Sequence, residues 1–120
     1  MSDPPIPDPF SVPRFAPGQI VHHRRYGYRG VVVDFDVRCR ADEAWYKKNR
    51  TQPNRDQPWY HVLVDCSTVI TYEAQTSLEP DTTGKLVNHP LMLELFEAFE
   101  GGRYERNDVL WPGWDLEEPA

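Results

Sequence analysis

The clearest pattern in the chain is an alternation over residues 31–38, where Val31, Val33, Phe35 and Val37 alternate with Val32, Asp34, Asp36 and Arg38. A period of two is the signature of a β-strand, and here it predicts one buried and one wet face. Upstream, Pro17-Gly18 signals a turn, because proline fixes φ and glycine accepts positive φ. Gln19 to Arg24 then reads as a first strand, and Tyr26-Gly27-Tyr28-Arg29-Gly30 as a glycine-punctuated turn or bulge. Downstream, Trp59 to Cys66 and Val69 to Thr76 read as a strand pair, with Asp65 to Thr68 at the turn. Tyr60, Val62 and Val64 share one face of that pair; Ile70, Tyr72 and Ala74 share another. Ser77-Leu78-Glu79-Pro80 reads as a short last strand closed by proline.

Two segments carry a different period. Asp42 is placed to cap a short helix that runs to Asn49 and carries Trp45 and Tyr46; Thr51 to Pro58 follows as a loop. Further on, Pro90 suits a first helical position, and Leu91, Leu95 and Phe99 fall at i, i+4 and i+8. Met92 and Phe96 widen that stripe, Glu94 and Glu97 lie on the other side, and Gly101-Gly102 ends it. The pattern therefore predicts a mainly β domain with a short inserted helix and a C-terminal helix. Short strands at close spacing with glycine turns favour a small barrel, which removes unpaired sheet edges.

The length of 120 residues fits one domain. Five prolines in the first 13 residues make residues 1–14 a proline-rich tail with few apolar groups to offset ordering. Residues 15–104 form the expected domain and 105–120 an acidic tail containing Trp111-Pro112-Gly113-Trp114. Both tails are expected to be dispensable for folding.

The net charge is −6, which repels nucleic acid at long range. The charge is uneven, however. Residues 22–55 hold nine basic side chains, Arg24, Arg25, Arg29, Arg38, Arg40, Lys47, Lys48, Arg50 and Arg55, against four acids, Asp34, Asp36, Asp42 and Glu43. No basic start leads into an apolar run and no window approaches a membrane span of about 20 apolar residues. The expectation is a cytoplasmic protein, with no membrane partner and with Cys39 and Cys66 reduced.

Catalytic and metal motifs are not found. There is no G-x-S-x-G, phosphate loop or H-E-x-x-H, and no cofactor-binding pattern. Cys39, Cys66, His22, His23, His61 and His89 lack the spacing of a zinc site. His22 and His23, adjacent in a strand, point to opposite faces, and the cysteines read as small core residues. Asp34 and Asp36 read as a solvated strand face. His61, beside Trp59 and Tyr60, reads as a partly buried residue hydrogen-bonded to backbone, or else as an acid/base group or pH switch. The basic stretch is the candidate nucleic-acid face: Arg24, Arg25, Arg29, Lys47, Lys48 and Arg50 for phosphates, and Tyr26 and Tyr28 for sugars. The competing reading is a solvated turn plus a solvated helix face. Reading a base methyl group also takes an apolar contact, and the sequence marks no pocket for one. Trp111 and Trp114 are candidate partner-binding anchors, or a segment that folds back on its own barrel.

Several segments, in order and register across Phe15 to Tyr104, resemble the HspQ/YccV family. They are Gly18-Gln19-Ile20-Val21-His22-His23, Tyr26-Gly27-Tyr28-Arg29-Gly30-Val31-Val32, Trp45-Tyr46, Asp56-Gln57-Pro58-Trp59-Tyr60-His61-Val62-Leu63, Leu78-Glu79-Pro80-Asp81 and His89-Pro90-Leu91. The resemblance implies an SH3-like barrel, self-association as a homo-oligomer and no catalytic activity. It implies two roles: binding of hemimethylated DNA, and a heat-shock role in which the protein helps the Lon protease degrade substrates. A protein–protein interaction module without DNA binding is the alternative. The proline-rich head and the Trp-Pro-Gly-Trp segment depart from the simple bacterial form.

Overall fold

Strand β1 (Ile20–His23) turns back through residues 24–28 into β2 (Arg29–Asp36). After helix α1 (Glu43–Lys48), strands β3 (Trp59–Val64) and β4 (Ile70–Ala74) extend the meander. A 3-10 turn at Gln75–Ser77 carries the chain to β5 (Leu78–Pro80), which returns to pair with β1. The structure, a computed structural model, describes residues 12–111. All pairings are antiparallel and the sheet order is β4-β3-β2-β1-β5, the strand order of an SH3-like barrel. The two rims meet through the 3-10 turn rather than through a ladder: Arg24 N–H donates to Ser77 O at 2.9 Å and Gln75 N–H to Pro58 O at 2.9 Å.

The alternation in β2 is broken by a bulge. Val32 pairs with Val62, but Asp34 pairs with His61, so Val33 is the extra residue. One inserted residue reverses the face of everything after it. Val31 and Val33 pack on one side with Ile20, Leu63 and Ile70, whereas Phe35 turns to the other side against Tyr60 and Val32. The expectation of one wet face is also corrected: Val31, Val32 and Val33 are all buried. The reason is that the sheet is covered twice. Phe15, Val21, Tyr60, Val62 and Leu78 fill one side, and Val87, Leu95 and Phe96 cover the other. Asp34 is exposed as expected, but Asp36 accepts from Tyr72 Oη at 2.7 Å and from His61 Nε2 at 3.3 Å. His61 is thus buried on a carboxylate.

The long C-terminal helix is likewise corrected. Only one turn, α2 (Met92–Leu95), forms; the chain then becomes a hairpin of β6 (Phe96–Glu100) and β7 (Arg103–Arg106), so β5 is not the last strand. Gly101 and Gly102 both hold positive φ, 63° and 78°, which suits a tight hairpin turn better than a helix cap. Cross-strand packing of Phe99 on Tyr104, with ring centroids 4.6 Å apart, replaces the helical stripe. Packing continues past residue 104: Arg106 donates to Val33 O at the bulge, to Leu95 O and to Val109 O, and Trp111 lies against the cluster built on Val31 and Leu63. At the other end, Gln75 Nε2 donates to Val12 O at 3.0 Å, and Arg14 and Phe15 N–H donate to the buried Tyr60 hydroxyl.

The inserted helix forms where Asp42 predicts it, its carboxylate accepting from Trp45 N–H at 2.8 Å. Trp45 and Tyr46 pack on Trp59 and Tyr72, with Cys39, Ala41 and Ala74. Cys39 is a buried residue as expected, and burial raises its thiol pKa; Cys66 instead sits exposed in the β3–β4 turn.

His89 joins the C-terminal segment to the barrel. Its Nε2 donates to Val69 O at 3.1 Å and its Nδ1 accepts from Leu91 N–H at 3.1 Å, a pattern only the neutral ring makes. Burial lowers its pKa, outweighing the backbone bonds that oppose it. The unfolded chain therefore takes up the proton first. The His89 contribution to stability is intact above the ordinary histidine pKa of about 6.5 and is lost as pH falls below it. We expect His89→Gln to lose stability at pH 7.5 but to show a shallower decline between pH 7 and pH 5 than the unaltered chain, as read by thermal melts. Parallel declines would contradict this assignment.

Candidate nucleic-acid interface

A groove of about 360 Å³ brings three distant segments together: His23 at the end of β1 with Arg24 and Arg25 of the following turn, Thr51, Gln52 and Pro53 from the loop after α1, and Thr76 and Ser77 beside β5. The loop is fastened to α1, because the Tyr46 hydroxyl donates to Gln52 O and Pro53 O and Gln52 Nε2 donates to Lys47 O. Arg55 stacks over the Tyr46 ring at 4.9 Å and also donates to Ala41 O. The insertion thus sets the loop after α1 against the turn that carries Arg24 and Arg25, with Lys47, Lys48 and Arg50 outside the groove's lining.

The turn itself stands on a buried polar network. His23 is 3% exposed, and its Nδ1 accepts from Arg25 N–H at 3.1 Å and from Tyr26 N–H at 3.0 Å. That leaves the proton on Nε2, which donates to Glu73 at 3.2 Å. Tyr28 donates to the other Glu73 oxygen at 2.9 Å and takes a hydrogen bond from Thr71 at 3.0 Å. Burial and the adjacent Glu73 charge raise the Tyr28 hydroxyl pKa far above its ordinary value. The His23 ring stacks on Tyr26 at 4.6 Å and on Tyr28 at 5.0 Å. Adjacent histidines do face opposite ways: His22, half-exposed, pairs with Glu79 at 2.9 Å.

The candidate residues separate by what they touch. Arg24, Arg25, Lys48 and Arg50 are exposed and make no ion pair among the described residues. Lys47, also exposed, lies 3.5 Å from Glu43 one turn back, a pairing worth only tenths of a kcal/mol. Tyr26 is exposed on the turn, whereas the Tyr28 hydroxyl points into the Glu73 network. Arg29 is held elsewhere, donating to both oxygens of Asp81, to Asp65 and to Lys85 O. Burial pushes the Asp81 carboxyl up, but Arg29 and Thr83 outweigh it and hold the group below the usual carboxylate range. Trp111 is half-buried on its own sheet, its ring 6.0 Å from His61; Trp114 lies outside the described residues. Sequence reasoning did not find Glu73, Thr71, Thr51–Pro53 or Thr76–Ser77, since no local pattern links them to the turn.

What this arrangement can do chemically is hold anions: cationic side chains, hydroxyls and amides line an open groove, and no cluster of metal ligands occurs among the described residues. Over 96 residues, 78% of this chain, it is 31% identical to F-box only protein 21 of Pongo abelii and of Homo sapiens, and 30% identical to that of Mus musculus. The match spans 15% of the length of each of those relatives. Residues 13–103 match the family described as hemimethylated DNA-binding protein YccV like. The chain belongs to this YccV-like family of hemimethylated DNA-binding proteins.

Proposed function

We propose that the protein is a non-enzymatic regulatory domain that binds hemimethylated DNA through the groove between the β1–β2 turn and the loop after α1. The observation that carries this reading is the convergence of Arg24 and Arg25 with the segment following Lys47, Lys48 and Arg50 on one open polar groove. It answers the objection from the net charge of −6. Association depends on local potential, and Arg24 and Arg25 line the groove while Asp36, Asp65 and Asp81 are engaged with His61, Tyr72 and Arg29. In this account Arg24, Arg25, Lys47, Lys48 and Arg50 contact phosphates, and Arg29 braces the fold. The cytoplasm is the proposed location; no helix among the described residues is long and apolar enough to cross a membrane.

The test is a salt titration of duplex binding. Each phosphate neutralised adds about −0.9 to the slope of log affinity against log salt. Replacing Arg24 and Arg25 together by glutamine is expected to make that slope shallower by about 2. Arg29→Gln is expected to leave the slope unchanged while lowering the melting temperature. A slope indifferent to the Arg24 and Arg25 changes would remove this interface.

A second reading has its own observation. Leu93 and Leu110 are 94% and 89% exposed, and Val109 is half-exposed. Asn107, which bonds to Glu94 O and Leu95 O, joins the two segments that carry them. Such apolar exposure suits protein partners, whether a second copy of the chain or the Lon protease and its substrates. Substituting Leu93 and Leu110 by serine should then impair Lon-dependent degradation or self-association while leaving DNA binding intact.

A further inference from the structure

Methylating one strand of a duplex adds no charge, so phosphate contacts hold methylated and unmethylated DNA equally well. Arg24 and Arg25 therefore supply affinity without discrimination. Discrimination takes an exposed apolar group next to the phosphate-binding charges, because a base methyl group is recognised by apolar contact in the groove. Of the exposed large apolar side chains, Tyr26 is the one carried on the same turn as Arg24 and Arg25.

The Tyr26 ring is also held in place. Its backbone N–H is fixed by His23 Nδ1 at 3.0 Å, and its ring lies on the His23 ring at 4.6 Å with planes 22° apart. The Arg25 guanidinium sits 6.0 Å from the ring centroid. His23 in turn is buried and bonded to Glu73. An exposed aromatic on so stiff a base loses little freedom on contact, which is what makes rigid aromatics effective recognition groups. Thr51, Pro53 and Thr76 line the groove itself, but each presents a smaller apolar surface than the tyrosine ring.

We propose that Tyr26, which lies beside the groove on the turn that carries Arg24 and Arg25 into its lining, is the specificity-determining residue, its ring making the apolar contact with the base methyl group of a hemimethylated site. This inference rests on the DNA-binding reading above.

The experiment uses the full chain and fluorescence anisotropy with duplexes of one sequence carrying N6-methyladenine or 5-methylcytosine on one strand, on both strands or on neither. The unaltered chain is expected to prefer one hemimethylated duplex over its unmethylated counterpart by about four-fold or more, the contribution of one buried methyl. Tyr26→Ala should bring that ratio close to one without changing the salt slope. Tyr26→Phe should keep the ratio, and Tyr26→Leu should keep part of it. A Lys48→Gln and Arg50→Gln double change should lower every affinity and leave the ratio intact. Binding without methyl preference, or a preference that survives Tyr26→Ala, overturns the inference while leaving DNA binding in place. No salt-dependent binding to any duplex overturns the DNA reading itself, and the inference with it.

Discussion

Replacing Gly18 by alanine is expected to destabilise the domain by about 3 kcal/mol or more, a large part of the stability of a domain this size. Gly18 holds φ at +92°, which side-chain-bearing residues rarely adopt, and an added Cβ would lie 1.8 Å from Tyr104 O. That contact is with backbone on β7, and it cannot move cheaply. Gly18 N–H donates to Val32 O at 2.7 Å and Tyr104 N–H donates to Gly18 O at 2.9 Å, so the clash falls where the hairpin is sewn to the barrel. Gly27→Ala is the control. Its φ is +77° but nothing lies within 4 Å of a built Cβ, so only the left-handed backbone cost of about 1–2 kcal/mol applies. Chemical denaturation of the two variants separates the terms. Equal losses would show that Gly18 is required for its φ alone and that the hairpin is not seated as described.

Arg106→Ala is expected to cost about 3 kcal/mol, because hydrogen bonds from a charged donor contribute about 1.5–3 kcal/mol each and buried acceptors are left behind. The guanidinium donates to Val33 O at 2.9 Å, Leu95 O at 2.9 Å, Asn107 Oδ1 at 3.0 Å and Val109 O at 2.8 Å. Val33 is the bulge residue of β2, so Arg106 meets a carbonyl at the point where the β2–β3 register shifts. It also ties down the segment leading to Trp111, which packs on the sheet. Lysine carries the charge but not the planar fork that spans these acceptors, so Arg106→Lys should recover little. For the same reason, ending the chain at residue 104 should lower the melting temperature substantially. A loss below about 1 kcal/mol for Arg106→Ala would place it among ordinary surface changes and would make residues 105–111 dispensable.

The barrel was legible wherever a local period was strong. The runs 19–24, 59–66 and 69–76 marked β1, β3 and β4, and Asp42 marked α1 because a cap is a local signal. Pro80 and the short run before it marked β5. The hairpin was not legible, since Leu91, Leu95 and Phe99 satisfy a helical spacing and Gly101-Gly102 ends a helix or turns a hairpin equally well. Tertiary packing decided it, through Phe96 and Phe99 on Tyr104. The bulge at Val33 is invisible in a run of three valines, and with it the reversal that sends Phe35 to one side and Asp36 toward Tyr72. The candidate site was half legible. Arg24, Arg25 and Tyr26 are chain neighbours and stood out by composition. Their support did not: His23 and Glu73 are 50 residues apart, and Thr51–Pro53 reaches the turn only because Trp45 and Tyr46 anchor the insertion on Trp59 and Tyr72. Arg29 looked like one more cation because its partners Asp65 and Asp81 lie far along the chain.

The central proposal is that the groove lined by Arg24 and Arg25 binds hemimethylated duplex DNA on a chain of net charge −6. It is tested most directly by titrating the unaltered chain against hemimethylated and unmethylated duplexes of one sequence between 50 and 200 mM salt. Three to five phosphate contacts from Arg24, Arg25, Lys47, Lys48 and Arg50 predict a log–log slope of about −3 to −4.5 for both duplexes, with the hemimethylated one bound more tightly at every salt concentration. A slope near zero, or equal affinity for the two duplexes throughout, would contradict it.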